Sequence, residues 1–96
     1  MQLIPLTATP NQTLSVQLGT TNYEIQVFQN TTGVYLTLSQ KGTVLVASVR
    51  CHDRVRIVRD AYIGFSGDLT FFDTQGVSDP DYTGFGERFV LGWLEP

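Results

Sequence analysis

Apolar and polar residues alternate with a two-residue period through the first half of the chain, which is the signature of strands with one face on a core. In Thr13–Leu18, Leu14, Val16 and Leu18 share one face, and Thr13, Ser15 and Gln17 the other. Tyr23–Phe28 repeats the pattern with Tyr23, Ile25 and Val27 inward, and Val34–Gln40 does so with Val34, Leu36 and Leu38. Gly19-Thr20-Thr21-Asn22 and Asn30-Thr31-Thr32-Gly33 separate these runs and read as turns, because Gly and Asn tolerate the positive φ of a tight reversal. Lys41-Gly42 turns the chain into Thr43–Val49, which is apolar at both parities, as in a strand covered on both sides. Four strands joined by short turns predict an antiparallel meander.

The second half is less regular. Val55–Val58 reads as a short strand or an extended loop, and Ala61–Phe65 is apolar without a clear period. Asp68–Asp73 is a clearer strand, with Leu69 and Phe71 on one face and Thr70 and Phe72 on the other. Gln75–Gly86 is the longest loop, holding Gly76, Pro80, Gly84 and Gly86 with the turn formers Ser78, Asp79 and Asp81. Arg88–Leu94 closes the chain with Phe89, Leu91 and Trp93 on one face. No segment keeps a 3.6-residue apolar period long enough for a substantial helix. About seven short strands predict an all-β fold, a small antiparallel sandwich or a partly open barrel.

A length of 96 residues suits one domain spanning 1–96, burying roughly 60–65% of its unfolded surface. A 42% hydrophobic content and a mean hydropathy near zero fit a globular chain. The apolar runs are too short to span a membrane, and Met1–Pro5 carries no basic stretch ahead of an apolar one, so neither a membrane nor a signal peptide is expected. The lone Cys51 fits a cytoplasmic site of synthesis.

A net charge of −3 argues against duplex binding, which asks for a broadly basic surface. Four of the five arginines, Arg50, Arg54, Arg56 and Arg59, nonetheless fall within ten residues, beside Asp53 and Asp60. They form either a solvated face of paired charges or a docking patch for an acidic partner. Cys51-His52-Asp53 has the residue types of a thiol catalytic site, but neighbours on an extended backbone diverge, so no catalytic residue is assigned. Asp73, Asp79 and Asp81 lack the spacing of a calcium loop and read as turn chemistry; no metal or cofactor is expected. Tyr82 and Phe85 lie inside the Asp/Gly-rich loop. Exposed, they would anchor a protein partner together with Asp79 and Asp81; folded back, they would plug one end of the core.

Ile4-Pro5-Leu6-Thr7 followed by Asn11–Val16 resembles the start of the small baseplate plug proteins of contractile-tailed bacteriophages. Gly67–Phe71, Asp73-Thr74-Gln75-Gly76, Asp79–Gly86 and the closing strand through Leu91 extend the resemblance over essentially the whole chain. Gly92-Trp93 stands where that family more often has a Tyr. The resemblance implies a virion component at the distal end of the tail, a plug that sits with the hub and central spike and helps close the tube. Its partners would be other baseplate proteins, the hub, the spike and the tube or tape-measure end, with homo-oligomers possible in the assembly, and it would be put together in the host cytoplasm. The competing reading is a free-standing β module that binds carbohydrate or another small ligand on the Gln75–Gly86 loop.

Overall fold

The computed structural model describes residues 2–19, 21–58 and 67–94, so Ala61–Phe65 lies outside the described residues. Among the described residues, seven strands make two antiparallel sheets that do not close into a barrel. Strands β2 (Asn11–Leu18), β3 (Thr21–Asn30), β4 (Gly33–Gln40) and β5 (Thr43–Arg50) form the expected meander in sequential order. Strands β1 (Gln2–Ile4), β7 (Phe89–Leu94) and β6 (Asp68–Asp73) form a smaller sheet with β7 in the middle. Tyr82–Gly84 adds one 3-10 turn.

The alternation in β3 and β4 does what it predicts. Ile25, Val27, Leu36 and Leu38 are fully buried, and Glu24 and Gln26 face out. The turns are tighter than the sequence suggests. Leu18 already pairs with Thr21 and Asn30 with Gly33, leaving two-residue connections. Lys41 and Gly42 both take positive φ, 49° and 81°, the mirror-image turn whose twist matches that of the strands it joins.

Two expectations need correction. Thr43–Val49 is not covered on both sides: β5 is an edge strand, and Val44 is 55% exposed. Its apolar residues occur at both parities because the register slips twice. Val44 pairs with Ser39 on the outer face, Val46 pairs with Leu38 on the core face, and Val49 pairs with Leu36. Each slip adds one residue and reverses the phase of the side chains. Ser48, inside the second slip at φ 48°, donates its N–H to Thr37 Oγ1 at 3.0 Å. The other correction is β1, which the sequence did not announce: Gln2, Leu3 and Ile4 pair with Trp93, Gly92 and Leu91.

The ambiguous segment before residue 58 is an extended loop. Asp53 bridges Phe71 in parallel, Arg54 N donates to Phe71 O at 2.7 Å, and Ile57 N donates to Leu69 O at 2.9 Å. It therefore covers the outer edge of β6. Asp68 Oδ1 secures it by accepting from the N–H groups of Ile57, Val58 and Leu69. At the same end Gly67 is required, since a Cβ there would lie 2.1 Å from the Leu94 carbonyl oxygen.

One apolar cluster joins the two sheets. The larger gives Leu18 to Leu38 and Val46, the smaller gives Ile4, Leu69, Phe71, Phe89, Leu91 and Trp93, and Leu6, Cys51, Ile57, Val58 and Phe85 enter from the connections.

Candidate functional site

The long connection between β6 and β7 is seated on the segment after β5 by a chain of carboxylates. Asp73, at the end of β6, is only 1% exposed. Its Oδ1 accepts from Arg88 Nε and its Oδ2 from Arg88 Nη2, both at 2.9 Å, a two-pronged pair across the base of the loop. The same oxygens accept the N–H groups of Gln75 and Ser78. The Arg88 guanidinium and these amides hold the Asp73 carboxyl well below the usual carboxylate range, while the carboxylate raises the pKa of Arg88. Arg88 also lies over the Phe89 ring, 5.0 Å from its centroid.

Asp79 closes the loop from its other side. Its Oδ2 lies 3.1 Å from His52 Nδ1, and its Oδ1 accepts the Asp53 N–H at 3.1 Å. The His52 contact and then the Asp53 amide lower its pKa. Asp53 Oδ1 in turn accepts the Asp73 N–H at 2.8 Å. Asp81 caps the 3-10 turn through the hydroxyl and N–H of Thr83, and its Oδ1 accepts from Gln29 Nε2 at 2.8 Å. Those contacts, Thr83 first and Gln29 second, lower its pKa. Gln29 Oε1 accepts the Tyr82 N–H at 2.8 Å, so one side chain from the end of β3 ties down the turn with both its amide atoms.

The three loop carboxylates are thus bound to backbone amides, Arg88, His52 and Gln29. That is the turn chemistry their spacing predicts, extended to partners far away in sequence. Among the described residues no group of three His, Cys, Asp or Glu side chains is gathered to hold a metal ion. The Cys51-His52-Asp53 run splits as an extended backbone requires. Cys51 is buried and its thiol pKa is pushed up to about 12 by desolvation, whereas His52 turns to Asp79.

The described members of the arginine cluster, Arg50, Arg54 and Arg56, are all exposed. Arg54 lies along the loop at the surface, pairing with Asp53 and donating to the carbonyls of Asp73 at 3.2 Å and Gly76 at 3.3 Å. Arg50 is exposed and lies against Gly33, and Arg56 is exposed. Arg59 lies outside the described residues.

Tyr82 and Phe85 part company as well. Phe85 is only 4% exposed and stacks on Phe71, with ring centroids 5.7 Å apart, so the expectation of an exposed aromatic there is corrected. The loop returns toward β7, where Phe85 bridges Phe89 and Gly86 N donates to Phe89 O, and this directs the ring into the core. Tyr82 is half-buried against the same cluster. The apolar side chain that the loop does present is Val77, 85% exposed, which sequence reasoning passed over. Its neighbours fix it: Gly76 O accepts from Arg54, and Ser78 N is bound by Asp73.

A protein-family model described as "Cyanophage baseplate Pam3 plug gp18" matches residues 1–96. The chain belongs to this family of phage baseplate plugs. It is a structural component of a bacteriophage tail baseplate, and its partners are other baseplate proteins. No curated protein matches the chain significantly.

Proposed function

We propose that this plug sits with the hub and central spike at the distal end of the tail and helps close the tube lumen until the tail contracts. The observation that carries the reading is a family match over the whole chain, from Met1 to Pro96. The chain folds as one domain, has no catalytic activity, and joins the particle during assembly in the host cytoplasm. Its contacting element is the loop from Asp73 to Arg88, with Val77 at the tip and Asp79, Asp81 and Tyr82 behind it. Arg54 positions that loop by donating to the carbonyls of Asp73 and Gly76.

A fixed loop bearing one exposed apolar side chain suits a shallow apolar depression on a neighbour, with polar atoms around the rim. Val77→Asp is the test. A charge at so exposed a position leaves the isolated protein folded, with its melting temperature within a few degrees of wild type. The same charge at a buried contact strongly disfavours docking, so mature tails made with the variant should lack the protein and leak or fail to eject. Normal incorporation of Val77→Asp into infectious tails would remove the loop from the contact.

A further inference from the structure

We infer that β2 is a pairing edge, and that its occupant is β2 of a second copy of this chain, joined across a two-fold axis through Ser15. This rests on the edge geometry and not on the placement of the plug in the tail.

Pairing of Leu18 with Thr21 across a two-residue turn makes them a hydrogen-bonded pair, so the bonded positions of β2 run through Leu18, Val16, Leu14 and Gln12. The donation of Gln29 N to Pro10 O at 2.8 Å has the same parity and confirms the phase. The N–H and C=O groups of Asn11, Thr13, Ser15 and Gln17 consequently point away from β3. Among the described residues, side chains touch only the two ends of this row: Thr9 Oγ1 reaches Asn11 O at 3.5 Å, and Gln2 Nε2 reaches Gln17 O at 3.4 Å. Among the described residues no strand pairs with the middle of it.

The other edges are managed. β5 slips register twice, takes a positive φ at Ser48, and is flanked by Lys41 and Arg50. The outer edge of β6 is covered by Asp53–Ile57, and β1 is only three residues long. β2 has none of these devices. It is eight residues long, keeps one register throughout, and contains no charge, proline or glycine. Soluble proteins seldom leave such an edge open unless something pairs with it.

The strand's own sequence selects the occupant. Thr13-Leu14-Ser15-Val16-Gln17 reads polar-apolar-polar-apolar-polar in either direction about Ser15. Antiparallel pairing of two copies through that residue sets Ser15 against Ser15 and Thr13 against Gln17, with about six main-chain hydrogen bonds between them. On the core face it sets Leu14 against Val16 twice. Both side chains are half-buried in the isolated chain, packed on the core but left open at the sheet edge, and the second strand covers them. No like charges meet, because the strand has none. The interface is self-complementary and closed, and it joins two four-stranded sheets into one continuous sheet.

The purified full-length protein at about 100 μM should sediment as a dimer, at twice the 10.7 kDa of the chain. Ser15→Pro removes an N–H that faces outward and bonds nothing among the described residues. Ser15→Lys brings two like charges together at the axis. Both variants should be monomers with an essentially native melting temperature. Ser15→Cys should cross-link to itself under mild oxidation, whereas Thr37→Cys, on the outer face of β4, should not. A wild-type monomer at that concentration, or a dimer that survives both Ser15→Pro and Ser15→Lys, would overturn the inference. So would equal cross-linking at positions 15 and 37. If proline disturbs the strand, the lysine and cysteine variants still decide.

Discussion

Truncating Phe85 to alanine should lower the stability of the isolated plug by about 3 kcal/mol, the usual cost of emptying a buried aromatic site. For a domain of this size that is a fall of roughly 15 °C in melting temperature. The ring is almost entirely out of water, stacks on Phe71 at 5.7 Å, and sits where the loop rejoins the small sheet. Its removal leaves a void beside Phe71, which is itself fully buried and cannot turn outward to fill it. Tyr82→Ala, at a half-buried position, should cost much less, on the order of 1 kcal/mol. The difference between the two variants separates core from surface within one loop. A melting temperature for Phe85→Ala within two or three degrees of wild type, at the precision expected of a surface change, would show that the ring is not part of the core.

Asp73→Asn should be the most damaging polar substitution among the described residues, with a fall in melting temperature on the order of 10 °C. Asparagine keeps the shape but replaces one acceptor oxygen with a donor that faces the Arg88 guanidinium and either the Gln75 or the Ser78 amide. The pH dependence has a defined sign. The carboxyl titrates lower in the folded protein than in the unfolded chain, so folding favours its ionised form. Its contribution is complete above the ordinary carboxylate pKa of about 4, and is lost progressively as the pH falls below that value. Asp79 and Asp81 are shifted in the same direction and should act together with it. Wild-type stability should therefore decline steeply below about pH 4, and that of Asp73→Asn less steeply. Parallel acid transitions for the two proteins would show that the Asp73–Arg88 pair does not link folding to protonation.

The meander was legible in the sequence because each of its first three strands has one dry face and one wet one. Leu14, Val16, Ile25, Val27, Leu36 and Leu38 announce their faces by parity alone. What was not legible follows from features that periodicity does not carry. β5 looks apolar on both sides because two bulges reverse its phase, and a bulge leaves no mark in a pattern of apolar residues. β1 is too short to show a period and exists because the edge of β7 is there to receive it. In the loop, Asp and Gly correctly indicated turns. The long-range partners of Asp73, Asp79 and Asp81, namely Arg88, His52 and Gln29, are set by tertiary packing. Phe85 is buried and Val77 exposed because the backbone route past Phe89, and not hydrophobicity, decides which side chain turns inward.

The central claim is that the chain plugs the tail tube at the baseplate, and electron cryomicroscopy of intact, uncontracted tails tests it most directly. The account predicts density for the two-sheet fold on the tail axis at the distal end, closing the lumen, with the Val77 tip buried against a neighbouring baseplate protein. Density for the chain at the baseplate periphery, with an open lumen on the axis, would contradict it.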